Sequence, residues 1–237
     1  MKIEVVQLPR FLQARHLSDR SVVVFDVLRA TTSMTAALAA GVKEIRVFGS
    51  ITDAQAAARG FAGEKLLCGE TNCLPPPGFD LGNSPGVFCS DHRGKTMFMS
   101  TTNGTRAIVA AQSAPLILAG CLLNASAVAA ALHEAGRDVT LLCAGTDGEV
   151  APEDIIGAGA IIDRLVDRGA TMPDSNSVNA HQMFTEARNN LPRVLAETRG
   201  GQNVIKVGLQ ADVDFAARVD IFSLVGRVKN NPLRVVQ

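Results

Sequence analysis

The stretch TMFMSTTNGTRAIVAAQ, residues 96–112, contains the three successive patterns on which the fold depends. The apolar run Thr96–Met99 predicts a buried strand, the polar turn STTNGTRA follows it, and Gly104–Gln112 predicts a helix. The same succession occurs earlier, where the valine-rich run Ser21–Phe25 is followed by DVLRATT and by a helix over Ser33–Ala40 with Gly41 as its C-cap. Both segments therefore predict a strand, a polar turn and a helix.

The pattern continues on both sides of these two segments. Short apolar runs predict further strands at Ile3–Leu8, Glu44–Phe48, Leu116–Ala119 and Val139–Ala144. Alanine-rich stretches between them predict helices over Thr52–Arg59, Asn124–Glu134 and Pro152–Asp167. Strands that alternate with helices indicate an α/β fold with a largely parallel or mixed sheet and helices on both faces. In such sheets ligands bind beyond the carboxyl ends of the strands.

The C-terminal part has a weaker pattern. It predicts helices over Asp174–Arg188, Pro192–Thr198 and Val204–Arg218, with Gly200-Gly201 as a break between the last two. We see no linker, so a single domain over residues 1–237 is expected. The two strand–turn–helix blocks can also be aligned with Arg29 on Thr102. An internal repeat and a chance match between alanine-rich helices both remain open.

Composition excludes several classes of function. The 237 residues carry 23 basic and 23 acidic side chains, and Trp and Tyr are absent. The chain has no excess of basic residues, and it lacks the aromatic residues on which bases usually stack. Nucleic-acid binding is therefore not expected. The most apolar stretch, residues 107–132, is interrupted by polar residues, which argues against a membrane span. We find no signal peptide, so we expect a cytoplasmic protein whose five cysteines are buried thiols.

The turn STTNGTRA has the chemistry of an anion cradle. A helix N-terminus offers free N–H groups and a positive dipole end, and a glycine lets the backbone approach a ligand closely. The residues that would bind phosphate are Thr101, Thr102, Asn103, Gly104, Thr105 and Arg106. Simple N-capping, with Arg106 pointing to water, is the alternative.

The turn DVLRATT places Asp26 at the end of a buried strand and Arg29 three residues later. An acid in this position can hold a metal ion or attack phosphorus, and the arginine beside it can bind phosphate oxygens. An Asp26–Arg29 ion pair that merely caps the turn is the alternative.

A third turn, AGTDGEVAPED, is rich in carboxylates. Its acids are Asp147, Glu149, Glu153 and Asp154, and Glu70 begins a long Pro-rich loop. Acids at a helix N-terminus are common for dipole reasons alone. Several acids beside two anion-binding turns nevertheless favour a hard cation, and Mg²⁺ prefers carboxylate and phosphate oxygens.

Taken together, five motifs resemble the ComB-type 2-phosphosulfolactate phosphatase family. In order they are DVLRATT (26–32), GE (69–70), GFDLGNSP (78–85), STTNGTRA (100–107) and AGTDGEVAPED (144–154). The resemblance implies a three-layer α/β fold. It also implies Mg²⁺-dependent hydrolysis of (2R)-2-phospho-3-sulfolactate to 3-sulfolactate and phosphate, a step of coenzyme M biosynthesis.

The resemblance and the residues together suggest roles. Arg106 and the backbone of Thr102–Thr105 would hold the phosphate, and Arg29 would hold the phosphate or the acid end of the substrate. Asp26 is a metal ligand or the nucleophile. The metal ligands or the general acid would come from Glu70, Glu149 and Asp154, and Asn83 and Ser84 contact the substrate or build their loop.

Two other functions remain open at this stage. The chain could be a phosphatase for another 2-hydroxy acid phosphate, or a non-enzymatic protein that binds a phosphorylated metabolite. The expected partner is in each case a small molecule, and the oligomeric state, homo-oligomer or monomer, is not determined.

Overall fold

Valine-rich and other apolar segments form a nine-stranded mixed sheet in the computed structural model, which describes residues 1–237. The strands are β1 (Ile3–Val6), β2 (Ser21–Phe25), β3 (Glu44–Val47), β4 (Lys65–Gly69), β5 (Thr96–Ser100), β6 (Leu116–Gly120), β7 (Val139–Cys143), β8 (Gly226–Lys229) and β9 (Arg234–Val236). Their order across the sheet is β1-β7-β2-β6-β8-β9-β3-β5-β4.

Nine α-helices cover the sheet. They are α1 (Ala30–Ala39), α2 (Ile51–Arg59), α3 (Gly104–Ala111), α4 (Ala125–Ala135), α5 (Pro152–Val166), α6 (Ser175–Ala187), α7 (Leu191–Glu197), α8 (Arg199–Lys206) and α9 (Gln210–Ala216). Side chains cap several of them. Ser50 accepts a hydrogen bond from the amide of Asp53, and Asp174 accepts one from the amide of Ser177. No helix is both long and apolar enough to cross a lipid bilayer.

Alternation along β2 divides the molecule into three layers. Val23 and Phe25 face a core that includes α4, α5 and the C-terminal helices, whereas Val22 and Val24 face a second core with α1 and α3. Because both faces are covered, all five residues of β2 are buried. Burial of a valine or phenylalanine side chain contributes roughly 1.5–3 kcal/mol. The prediction of an α/β fold with helices on both faces of the sheet is confirmed.

A hairpin near the C-terminus joins two parallel groups of strands. One group is β1-β7-β2-β6 and the other is β3-β5-β4, and every pair within each group is parallel. Between them lie β8 and β9, which pair antiparallel with β6, with each other and with β3. Three successive antiparallel pairings reverse direction, so along the ladder the second group runs opposite to the first.

Five details of the structure differ from the sequence-based prediction. The hairpin and strand β4 were not predicted at all. Gly200 and Gly201 lie within helix α8 rather than breaking a helix, and helix α1 begins at Ala30, three residues earlier than expected. The thiols are not all buried, because Cys89 is exposed and Cys73 is half-buried.

Candidate active site

A cavity of about 360 Å³ lies between helix α8, the turns after β2, β5 and β7, and the loop 70–84 that follows β4. This volume is within the range of small-molecule sites. Most of the wall is polar. It consists of Asp26, Leu28, Arg29, Glu70, Asn72, Cys73, Asn83, Thr102, Asn103, Thr146, Asp147, Gly200, Asn203, Lys206 and Val207.

Seven of the residues singled out from the sequence lie on this wall. They are Asp26, Arg29, Glu70, Asn83, Thr102, Asn103 and Asp147. Two others, Arg106 and Glu149, are exposed and do not line the cavity. The structure therefore brings all three polar turns and the Pro-rich loop together but leaves these two charged side chains outside.

The remaining predicted residues lie behind the wall. Thr101 and Thr105 are buried and cap each other, because the hydroxyl of each accepts a hydrogen bond from the amide of the other at 3.1–3.2 Å. This reciprocal pair fixes the start of α3. Two of the hydroxyls in the turn after β5 therefore stabilise the turn itself and do not contact a ligand.

Gly104 allows the N-terminus of α3 to approach the turn after β2. A Cβ at this position would lie 2.6 Å from Cβ of Ala30 and 2.6 Å from Oδ2 of Asp26. Such distances are not found between real side chains, so only glycine permits this approach. Asp26 also accepts a hydrogen bond from the amide of Ala30 at 3.1 Å, and its carboxylate therefore lies against the first turns of two helices.

Arg29 is held in a buried clamp. Its Nη1 donates to Oδ2 of Asp212 in α9 at 2.5 Å and to Oγ of Ser84 at 3.3 Å, and its Nη2 donates to the carbonyl of Cys73 at 2.5 Å. Ser84 also donates to Asp212 at 2.7 Å. The clamp connects the turn after β2, the Pro-rich loop and the C-terminal helices. The alternative of an Asp26–Arg29 ion pair is wrong, because the anion that Arg29 contacts is Asp212.

Glu70 organises the opposite side of the wall. Its Oε1 accepts a hydrogen bond from the amide of Thr102 at 2.8 Å, and its Oε2 accepts one from the amide of Cys73 at 3.0 Å. One carboxylate thus joins the loop to the turn after β5.

Three buried carboxylates at or near the cavity, those of Asp26, Glu153 and Asp154, form no ion pair with a basic side chain. Desolvation, together with the charges of Glu70 and Glu153, raises the pKa of Asp26 to about 7 against the opposing hydrogen bonds from Ala30 and Gly104. Desolvation and the charges of Asp26 and Glu153 also raise the pKa of Asp154 well above its ordinary value. The negative charges of these acids repel one another.

Asp154 and Glu153 differ in how they are bonded. Asp154 accepts hydrogen bonds from the amides of Val27 at 2.8 Å and Gly145 at 3.0 Å, which braces the turns after β2 and β7. Glu153 has one weak partner, the hydroxyl of Thr146 at 3.4 Å, and its Oε2 has none. Desolvation accordingly raises the pKa of Glu153.

The acids expected to hold Mg²⁺ do not all meet at one point; they are Asp26, Glu70, Glu149 and Asp154. The structure contains no group of three or more His, Cys, Asp and Glu side chains arranged to bind a metal ion. Asp26 and Glu70 do line the same cavity, and the buried Oδ1 of Asn83 beside them lacks a hydrogen-bond partner. Mg²⁺ is usually held by only one or two carboxylates, with water and substrate phosphate completing its coordination. These oxygen donors and the uncompensated negative charge fit such an ion.

Several residues of the site were not found from the sequence. Asp212, Asn203 and Lys206 belong to the C-terminal helices, where the weak pattern gave no reason to select them. Glu153 was noticed only as one of four acids in a turn. The spacing of Gly200, Asn203 and Val207 at i, i+3 and i+7 places them on one helical face and was the available signal.

Comparison with known proteins gives consistent results. The family model described as 2-phosphosulpholactate phosphatase matches residues 6–231. A probable 2-phosphosulfolactate phosphatase of Carboxydothermus hydrogenoformans is 39% identical, with 95% of this chain and 92% of the relative covered. Proteins with the same description from Caldanaerobacter subterraneus subsp. tengcongensis and Clostridium acetobutylicum are 36% and 31% identical. They cover 94% and 98% of this chain, and 93% and 100% of their own lengths are matched.

Proposed function

The chain belongs to the 2-phosphosulpholactate phosphatase family, and on that basis we propose that it hydrolyses (2R)-2-phospho-3-sulfolactate to 3-sulfolactate and phosphate. In this reaction a water oxygen bonds to phosphorus, the bond from phosphorus to the C2 oxygen breaks, and the C2 oxygen takes a proton. Coenzyme M biosynthesis is the pathway that the reaction would serve. The observation that carries the proposal is the cavity in which Asp26, Arg29 and Glu70 meet the turn before α3.

The cavity suits a phosphate ester with further acidic groups. In the proposed pose the phosphate lies at the turn before α3, near Thr102 and Asn103, where the helix dipole favours an anion. Arg29 faces the same cavity, and its clamp fixes the guanidinium so that little side-chain entropy is lost on binding. Most of the wall is polar, which suits a small and highly charged ligand.

We further propose that Mg²⁺ is the cofactor, held by Asp26 and Glu70 with the amide oxygen of Asn83. A bound Mg²⁺ would supply positive charge to the phosphoryl oxygens. The carboxylate of Asp26 would gain the countercharge that its surroundings lack, because Arg29 is already paired with Asp212. Asp154 would act indirectly by bracing the turn that carries Asp26.

Phosphate release from a panel of 2-hydroxy acid phosphates tests this function. We expect the sulfo substrate to be hydrolysed with kcat/KM on the order of 10⁴ M⁻¹s⁻¹ or above in Mg²⁺, and EDTA to abolish the activity until Mg²⁺ is restored. Asp26→Asn should remove the activity, whereas Asp214→Asn, an exposed acid outside the cavity, should retain it.

Three outcomes would contradict parts of the proposal. Preference for a different phosphate ester would identify another substrate for the same site. Full activity in metal-free buffer would exclude the Mg²⁺ site. Binding of the esters by calorimetry without any phosphate release would show a binding protein rather than an enzyme.

A further inference from the structure

One face of helix α8 forms a wall of the cavity. Gly200, Asn203 and Lys206 line the cavity and lie on one side of the helix, and Val207, the residue that follows the helix, lines the cavity as well. Gly200 is packed against a buried carboxylate, because a Cβ there would lie 1.8 Å from Oε1 of Glu153. The start of the helix is thereby fixed against α5, and Lys206 in its last turn lines the cavity and is exposed.

Lys206 is the unpaired cation of the wall. The charged residues that line the cavity are Asp26, Arg29, Glu70, Asp147 and Lys206. The guanidinium of Arg29 is neutralised by Asp212, and Lys206 forms neither an ion pair nor a hydrogen bond. An ammonium group beside an anion-binding cavity, with no partner in the protein, is available to a ligand.

The other basic residues near the cavity cannot take this place. Arg199 lies at the rim, where its Nη2 donates to Oδ2 of Asp147 at 3.2 Å. Arg106 is exposed and does not line the cavity. A substrate that carries phosphate, carboxylate and sulfonate therefore meets two cations on the wall, one already paired and one free.

We propose that Lys206, with Asn203 beside it, binds the sulfonate of the substrate and so determines specificity. This inference rests on the proposed function. A sulfonate stays ionised at physiological pH and has three acceptor oxygens, which match the three donors of an ammonium group and the amide donor of Asn203. The phosphate, on the C2 oxygen, lies at the turn before α3, and the sulfonate, on the adjacent carbon C3, points to helix α8.

The test compares two substrates that differ only in the sulfonate. Lys206→Met keeps the aliphatic stem and removes the charge, and Lys206→Arg restores the charge. Lys229→Met is the matched control, because Lys229 is an exposed lysine in β8, outside the cavity. Steady-state kinetics are measured with 2-phospho-3-sulfolactate and with 2-phospholactate, and binding of 3-sulfolactate and lactate is measured by calorimetry.

We expect Lys206→Met to lower kcat/KM for the sulfo substrate at least ~10-fold more than for 2-phospholactate, a difference of about 1.4 kcal/mol. The loss should lie mainly in KM, Lys206→Arg should recover most of it, and Lys229→Met should match the wild type. Equal losses with both substrates would overturn the inference while leaving the phosphatase function intact.

If the wild type releases no phosphate, the calorimetric binding of 3-sulfolactate and lactate still tests the sulfonate site. The proposed function then fails. Tighter binding of 3-sulfolactate than of lactate, lost in Lys206→Met, would still support the sulfonate site. Equal binding of 3-sulfolactate by the wild type and by Lys206→Met would overturn it.

Discussion

The clamp around Arg29 leads to a quantitative prediction for Asp212. The two side chains are 3% and 5% exposed, and they meet at 2.5 Å. In Asp212→Ala the guanidinium stays buried but loses its only anionic partner. Removing one partner of a buried ion pair costs roughly 3–5 kcal/mol, because the remaining charge is left uncompensated. Ser84 and the carbonyl of Cys73 still accept from Arg29, so we expect the lower end, about 3 kcal/mol.

Thermal and urea unfolding of the full chain measure this loss. For a domain of this size, ~1 kcal/mol corresponds to about 2–4 °C, so the midpoint should fall by roughly 6–12 °C. Asp214→Ala is the matched control. Asp214 lies two residues further along the same helix, is exposed and accepts one hydrogen bond from Gln210 at 2.9 Å, so its removal should change stability by no more than ~0.5 kcal/mol.

A double-mutant cycle distinguishes the ion pair from a general packing defect. If the clamp is the cause, Arg29→Ala and Asp212→Ala together should destabilise the protein by less than the sum of the single effects. Asp212→Asn, which keeps an acceptor but loses the charge, serves as the milder variant. Similar midpoints for Asp212→Ala and Asp214→Ala would refute the reasoning.

Two further predictions concern the turn that carries Asp26. Because its pKa is 3.8 in an ordinary setting and about 7 here, the folded protein retains a proton that the unfolded chain releases, so metal-free stability should fall as pH rises from about 4 to about 7. Urea titrations should show a weaker fall in Asp26→Asn, and an unchanged fall would contradict the assignment. Gly104→Ala should lower kcat by at least ~10-fold and stability by about 1–3 kcal/mol, because its Cβ would meet Asp26 and Ala30. Gly60→Ala is its control, because a Cβ at position 60 would meet no atom closer than 3.8 Å. Equal effects of the two substitutions would contradict the close approach at Gly104.

The parts of the fold that were predictable have strong local signals. Strand β2 was located to the residue, because five apolar or small residues between polar turns specify a strand covered on both faces. Helix α2 was predicted to within one residue, and the hydroxyl of Ser50 just before it accepts a hydrogen bond from the amide of Asp53, the third residue of the helix. Such features depend on neighbours in sequence and are visible without the fold.

The unpredicted parts depend on contacts between distant segments. Nothing local shows that Asp212 would neutralise Arg29 across 183 positions, nor that Gly201 would be tolerated inside a helix. Arg106 illustrates the opposite error. Its place in a motif predicted a phosphate ligand, yet its side chain is exposed and outside the cavity, whose cations are Arg29 and Lys206.

The C-terminal hairpin also has a consequence for the order in which the chain folds. Residues 226–236 lie between two groups of strands that are complete in sequence by residue 143. Synthesis proceeds at roughly 5–20 residues per second. Until the hairpin has been made, β6 in one group and β3 in the other each have an edge without its partner strand. Contacts of such long sequence separation slow folding, and exposed strand edges invite pairing with other chains. The nascent protein would therefore benefit most from chaperone protection in the interval before its final strands are made.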